Sequence, residues 1–453
     1  MAIGVEQAVE NVELEAFASE IPTLIPMSKT LYSLMQEKFT KEPVSYTTSG
    51  GATVRPSFRV PFRAQGSAAI SQGTGDGQAL GRGNMSVWQS FVLSPVWHFA
   101  VNEMSHLSQL ATNGKKRGLI SLKAEEFKNS LDSTIAGLEA MLYGDGSGAI
   151  TQIPANATVI TTSPGSIQSS SLRAMAVTDN QVLQFFPNEG GVARGYATVS
   201  TNDPASGTIN FVGGLAANGS TPTNGTSLAS NVVAGDWIMI AGSTGSNTTL
   251  SSVLGIQAWH NSASTGTIAG YNRATYPGRV TTPSINLNSG AVVASLSQRI
   301  EALLGRAMGP DNKAKDSGVY LMGEDQAYAI ASTNYYNKQI TQNSDQGGGG
   351  DKSVPDTSRK YFQKTFGGRD VTISYVQPLG RIDLLLTKNW YIGELVPLQL
   401  YDFGGGNTVM PTPDPAGNGW LTSNQFVYET SFNCANSAPK QGLFVYGAST
   451  PIV

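Results

Sequence analysis

Residues 53–94 constrain this chain more than any other stretch. From Thr53 to Arg63, Val54, Phe58, Val60 and Phe62 alternate with Arg55, Ser57, Arg59 and Arg63, the period-two pattern of a strand with one apolar face. Pro56 and Pro61 cannot donate to a ladder, which suits an edge or an exposed ribbon better than a central strand. Six glycines follow between Gly66 and Gly83, and a second strand-like run begins near Met85 with Val87, Trp88, Phe91 and Val92. Together these describe a long hairpin with a flexible tip. A two-stranded ribbon alone in water is marginal, so it either packs on its own domain or is held by another chain.

The clearest helix signal spans Leu122–Leu142. Ala124, Phe127, Leu131, Ile135, Leu138 and Leu142 recur at steps of three and four, Ser121 stands at the N-cap position, and Glu125 and Glu126 fall in the first turn where the helix dipole favours them. Gly144 stops it. Val5, Val9, Val12 and Ala16 mark a short acidic helix that carries Glu6, Glu10, Glu13, Glu15 and Glu20 and no Lys or Arg. Val292, Leu296, Ile300, Leu303 and Ala307 mark another amphipathic helix, closed by Gly309 and Pro310.

Only 13% of the 453 residues are charged, against about 25% in a typical soluble chain. Much of the deficit lies in Thr151–Asn272, where Arg173, Asp179, Glu189, Arg194, Asp203 and Asp236 are the only charges. Short apolar runs such as Val182–Phe186 and Trp237–Ala241 alternate there with Gly, Asn, Ser and Thr, which predicts a β-rich insertion. Beyond it, Val319–Met322 reads as a buried strand leading into a helix near Glu324–Ala331, and Gly347–Gly350 as a loop. Val371, Ile373 and Tyr375, then Ile382, Leu384 and Leu386, read as a strand pair turning at residues 378–380. Phe426, Tyr428, Phe432 and Cys434 alternate with polar residues, and Leu443–Tyr446 is expected to complete a C-terminal hairpin with them. Ribbon, helix, β insertion, helix and strands in this order make an α+β chain without βαβ alternation.

The chemistry-bearing residues are sparse. Glu103 and His106 have the spacing of a di-iron ligand pair, but a bundle site needs a second such pair, and only His98 and His260 remain; His98 and His106 read as structural. No GxSxG elbow, phosphate loop or strand-associated GxGxxG occurs, and the glycines of 144–148 follow a helix where no N-terminus awaits an anion. Nothing selects a catalytic residue, a metal or a cofactor, and the expected class is not an enzyme. Cys434 is the single cysteine, so no internal disulfide forms and a reducing compartment is the simpler reading. The first residues lack a signal-peptide pattern, and no window is apolar enough to span a membrane. Net charge is −3, which excludes a basic nucleic-acid arm; Lys115, Lys116 and Arg117 form the lone basic triplet.

This order of elements resembles the major capsid proteins of tailed double-stranded DNA bacteriophages, which share the HK97-like fold. Thr53–Ser94 is similar to the extended E-loop, Leu122–Leu142 to the spine helix, and Ala140–Ile150 (AMLYGDGSGAI) to the helix ending of many such proteins. Gly270–Gly278 (GYNRATYPG) resembles the approach to the A domain, Gly367–Phe403 its later strands, and Gln425–Tyr446 the return to the P domain. The resemblance implies an N-terminal arm over 1–50, an E-loop hairpin over 51–100, and the spine helix with part of the P domain over 101–150. It further implies a β-rich inserted domain over 151–272, an A domain over 273–403 and the return to the P domain over 404–453.

The family implies self-assembly into hexamers and pentamers of an icosahedral shell enclosing the genome. It also implies a portal, a separate scaffolding protein, a decoration protein, and packaged double-stranded DNA held by weak non-specific contact, with no membrane partner. The location would be the virion, assembled in the host bacterial cytoplasm. Arg55, Arg59 and Arg63, with Arg82 near the ribbon tip, are the first candidates for inter-subunit contact, because arginine pairs bidentately with carboxylates. The acidic arm with Glu6, Glu10 and Glu13 is the second. Some members cross-link through an E-loop lysine, and this chain has none between Lys41 and Lys115, so that cross-link is expected to be absent. The arm and ribbon begin almost at Met1, which implies a separate scaffold or an already processed chain. An encapsulin-type compartment shell and a surface or tail-fibre β protein with carbohydrate affinity are the alternatives.

Overall fold

The structure, a computed structural model, describes residues 30–47, 55–66, 85–105, 122–154, 157–160, 165–168, 176–187, 193–203, 206–216, 232–241, 252–286, 318–323, 370–377, 381–413 and 421–446. The acidic N-terminal helix, the helices at 292–307 and 324–331 and the glycine loop at 347–350 lie outside these residues. In chain order come α1 (Thr30–Lys38), β1 (Thr40–Glu42), β2 (Ser45–Thr47), β3 (Arg55–Gln65), β4 (Val87–Leu93), β5 (Val96–Ser105) and α2 (Leu122–Tyr143). Then follow β6 (Ala149–Gln152), β7 (Thr158–Ile160), β8 (Ser166–Gln168), β9 (Val182–Phe186), β10 (Gly195–Asp203), β11 (Thr208–Ala216), β12 (Trp237–Ile240) and α3 (Ile256–Trp259). The rest are β13 (Thr267–Ile268), β14 (Tyr271–Asn272), α4 (Pro277–Val280), β15 (Ser284–Asn286), β16 (Gly318–Met322), β17 (Asp370–Ile373), β18 (Ile382–Leu386), β19 (Trp390–Leu400), β20 (Met410–Pro413), β21 (Leu421–Asn436) and β22 (Leu443–Tyr446). The chain is α+β, and it divides into two compact units that exchange the backbone at residues 33/34, 94/95, 253/254, 393/394 and 432/433.

The first unit holds the long helix α2, within one residue of its expected span. Leu138 and Leu142 are fully buried, and so is Glu139, whose carboxylate accepts the Leu31 N–H at 2.8 Å. The Gly144 N–H closes the helix on the Met141 carbonyl at 2.9 Å. Gly146 (φ 96°) and Gly148 (φ 83°) then adopt left-handed backbone that a side chain would strain, while the Asp145 carboxylate accepts the Ser147 N–H. That turn explains the glycines of GDGSG without any anion. Against α2 lies the inner face of β5 and β21: Phe127 stacks on Phe426 at 4.2 Å, and the Tyr428 hydroxyl donates to the Phe127 carbonyl at 3.1 Å. The antiparallel register pairs Asn102 with Phe426, Ala100 with Tyr428, His98 with Thr430 and Val96 with Phe432 on this one face.

The weakly charged segment of the same unit builds a seven-stranded sheet in the order β6-β12-β9-β10-β11-β8-β7. Its edge strands β6 and β7 are neighbours in sequence, joined by residues 153–157. Six spacings of about 4.8 Å would put them about 29 Å apart in a flat sheet. The link from Gln152 to Thr158 reaches at most about 21 Å, so the sheet must curl toward a barrel. Ile167, Leu183, Phe185, Ala197, Val199, Ile209 and Phe211 are completely buried, with Phe185 edge-on to Phe211 at 5.8 Å. Asp236, almost fully buried, is neutralised by Arg194 at 2.9 and 3.1 Å and also accepts the Val233 N–H.

The second unit carries the ribbon and a five-stranded sheet in the order β15-β22-β18-β16-β17. β17 and β18 are therefore not the hairpin expected from sequence: β16 lies between them, parallel to β17 and antiparallel to β18. The burial explains why. All five residues of β16 and of β18 are buried, as central strands require, whereas Asp370 is exposed and β17 sits at the edge. The expected C-terminal hairpin is also replaced. After β21, a 3₁₀ turn at Pro439–Gln441 redirects the chain, and β22 inserts between β15 and β18 in this other sheet. Its residues Leu443, Phe444 and Val445 are buried on both faces, a burial that a two-stranded hairpin cannot give.

Candidate functional site

β3 pairs antiparallel with β4, and the register sorts the ribbon into two faces. Phe58 opposes Leu93, and Val60 opposes Phe91. All four are buried, as is Phe62, which stacks on Phe91 at 4.4 Å. Phe91 also meets Trp259 edge-on at 4.9 Å, and Phe62 meets Tyr271 at 5.1 Å. The base of the ribbon thus packs on its own unit, one of the two outcomes the sequence left open. Ser57, which alternation assigns to the polar face, is buried; it opposes Ser45 of β2, the third strand at this end. The GYNRATYPG segment supplies Tyr271, and its Arg273 is buried and donates to the Ala258 carbonyl at 2.7 Å.

The opposite face of the ribbon is open. Arg59 stands across from Val92 and Arg63 across from Trp88, and Trp88 is 63% exposed. Both arginines are exposed, and no ion pair to either occurs among the described residues. The structure thus brings Arg59 and Arg63 to one surface, interleaved with two apolar side chains. Arg55 is placed by its backbone alone, in register with Thr47; Arg82, Glu6, Glu10 and Glu13 lie outside the described residues.

A second open surface belongs to the other unit. On β5, Trp97, Phe99 and Val101 point away from α2 and are 45%, 57% and 57% exposed, with exposed Glu103 continuing the row. The Trp97 and Phe99 rings lie parallel at 5.8 Å. Sequence reading missed this stripe because Val96 to Val101 is almost wholly apolar, and a run without alternation does not say which side faces out.

The chain also buries a polar cluster that sequence reading did not single out. Asp383, the second residue of β18, is fully buried and accepts from Arg381 Nε and Nη2 (3.0 Å each), Gln377 Nε2 (2.8 Å) and His260 Nδ1 (2.9 Å). Burial by itself would raise this carboxyl; Arg381 and His260 overcome that and hold it below the usual carboxylate range. The cluster is a compensated core ion group with no nucleophile in it. His98 is packed against Phe432, and burial pushes its imidazole down to about 4. The Cys434 thiol, buried and donating to the Leu254 carbonyl at 3.0 Å, is pushed up by burial, so it is a poor nucleophile. Among the described residues no group of three or more His, Cys, Asp or Glu could hold a metal ion.

Comparison with protein-family models and with curated proteins finds no match. Solved structures do match. The chain is similar to one in the capsid asymmetric unit of cyanophage A-1(L), with 10% identity and a TM-score of 0.48 over 96% of this chain and 97% of that chain. It is similar to the capsid of the native GTA particle, with 9% identity and a TM-score of 0.45 over 95% and 94%. It is also similar, over 96% of this chain and 97% of that one, to the capsid of Myoviridae phage XM1, with 10% identity and a TM-score of 0.41.

Proposed function

We propose that this chain is the major capsid protein of a tailed double-stranded DNA bacteriophage, which self-assembles into hexamers and pentamers of an icosahedral shell. The order of ribbon, long helix, β insertion and later sheets supports the reading. One observation carries it: the chain presents two open surfaces of complementary character, a ribbon face with Arg59, Arg63, Trp88 and Val92 and a strand face with Trp97, Phe99, Val101 and Glu103. Large aromatic side chains left half-exposed in rows mark surfaces that a partner covers. A contact between two different surfaces of identical subunits is heterologous, and when its rotation closes it makes rings.

In this reading the arginine face, with Arg55 and Arg82, meets carboxylates of a neighbouring copy, and the arm with Glu6, Glu10 and Glu13 is a second contact. The role is structural rather than catalytic, in the virion, with assembly in the host cytoplasm. A portal, a separate scaffold and a decoration protein complete the shell. A net charge of −3 suits a genome driven in by a motor and touched only by weak contacts. Negative-stain microscopy of the purified protein tests this: closed shells are expected, and fibres or isolated trimers would sink it. Nucleic acid inside shells from infected cells separates a virion from an encapsulin-type compartment.

A further inference from the structure

The outward face of the ribbon carries two parallel rows. On β3 stand Arg59 and Arg63, both exposed; across from them on β4 stand Val92, 40% exposed, and Trp88, 63% exposed. Four residues separate the arginines, about 13 Å along a strand, and the two rows lie about 5 Å apart. Neither strand contains an acidic residue, so the face is positive with no compensation of its own. What covers it must bring carboxylates in one row and apolar side chains in the row beside it.

One segment of this chain has that composition. Residues 1–28 carry Glu6, Glu10, Glu13, Glu15 and Glu20 and no Lys or Arg, and no other stretch of twenty residues holds as many carboxylates without a cation. At helical spacing Val5, Val9, Val12 and Ala16 fall on one line, and Glu6, Glu10 and Glu13 fall on the next, about 100° further round. Glu6 and Glu13 would be about 10 Å apart along the helix axis, close to the separation of the arginines. The strand face of β5 matches less well, because Glu103 is its lone carboxylate. Pro22 and Pro26 bias Ile21 and Ile25 toward extended backbone. The link 21–29 can then span about 30 Å, which carries the arm away from its own α1 and toward a neighbour.

We propose that residues 5–16 of one copy dock as an amphipathic helix on the ribbon face of a neighbouring copy. Glu6, Glu10 and Glu13 lie on Arg59 and Arg63, as charge-assisted pairs, and the valine line lies on Trp88 and Val92. The arm and the ribbon face are then one contact rather than two. The inference rests on the assembly reading, since it requires a second copy.

Cysteine pairing on full-length chains tests it. One chain carries Ala8→Cys, beside the valine line; the other carries Ser90→Cys, across from Pro61 and between Trp88 and Val92 on β4. Cys434 is buried and does not compete. Mixed and treated with a short bismaleimide, the two should give a two-chain band that neither gives alone. Arg59→Glu with Arg63→Glu in the Ser90→Cys chain should reduce this band at least about tenfold. Glu6→Lys, Glu10→Lys and Glu13→Lys in the Ala8→Cys chain should then restore it. No joint band, or a band indifferent to these charges, would overturn the docking. So would linkage only within a single chain bearing both cysteines, which assigns the arm to its own ribbon. Linkage of Ser90→Cys to a chain bearing Val101→Cys would also overturn it, by assigning the face to β5. The gel reads contact between two chains whether or not they close into a shell. Shells without the band therefore sink this contact alone, and a charge-dependent band without shells supports the contact while counting against the capsid reading.

Discussion

The Asn433 side chain accepts the Leu254 N–H at 3.0 Å and so ties together two residues 179 positions apart. The same oxygen accepts the Cys434 N–H at 2.9 Å, and its Nδ2 donates to the Ser94 carbonyl at 2.9 Å. Ser94, Leu254 and Asn433 all belong to the second unit, so one fully buried amide joins three of its segments that lie far apart in sequence. Asn433→Ala leaves three backbone groups without their partner and should cost about 2–4 kcal/mol in chemical denaturation. Asn433→Asp should also destabilise, because it sets a carboxylate against the Ser94 carbonyl.

Gly393 in β19 is the second site where one atom matters. A Cβ there would overlap the ring of Phe58, which is buried in the ribbon base. Gly393→Ala should therefore destabilise by about 3 kcal/mol or more. Combining it with Phe58→Ala should recover part of that loss, so that the double variant is more stable than the sum of the two single effects implies. Additive losses in a double-mutant cycle would contradict the contact.

The His98 imidazole gives a pH dependence with a defined sign. Unfolded histidine takes up a proton near 6.5, whereas the buried ring waits until about 4. Stability contributed by the neutral ring is therefore complete above pH 6.5 and is lost progressively as pH falls toward 4, up to about 2–3 kcal/mol. The difference between wild type and His98→Leu in denaturation across that window isolates this part.

Much of the architecture was legible where one physical pattern dominated. The long helix was readable because its apolar steps from Ala124 to Leu142 follow one face for about five turns, and β9 and β12 because short apolar runs stand between polar clusters. Pairing was not legible. Nothing in Val371–Leu386 says that β16, some fifty residues earlier, will enter between β17 and β18, since partner choice depends on which strands end up buried on both faces. The helix α1 was overlooked although Leu31, Leu34 and Met35 have helical spacing, because it is only nine residues long. The arginines of the ribbon face were visible from alternation, while Trp97 and Phe99 were hidden in a continuous apolar run.

Assembly should separate from folding at the open surfaces. Arg59→Glu with Arg63→Glu, and independently Trp97→Ser with Phe99→Ser, replace exposed side chains and should leave the unfolding transition nearly unchanged. Each pair should abolish closed shells in electron micrographs. Normal shells from both double variants would remove these faces from the contact.

Shells that form should come apart without covalent remnants. The ribbon offers no lysine, so boiling mature particles in SDS should release monomer alone. A ladder of oligomers on the gel would show a cross-link chemistry drawn from elsewhere in the chain.

The curled seven-stranded sheet begins on β6 and ends on β12, and these two strands are hydrogen-bonded neighbours, with Gln152 across from Trp237 and Thr151 across from Ile238. The backbone thus leaves for eighty-odd residues and comes back to the adjacent strand, as a pendant does on a clasp. The points where the segment leaves and rejoins the chain are set by the separation of these two paired strands. A short turn grafted between Gln152 and Trp237 should satisfy that constraint as well as the whole module does. The β6–β12 pair is therefore a place where one inserted segment can be exchanged for another while the pairing is kept.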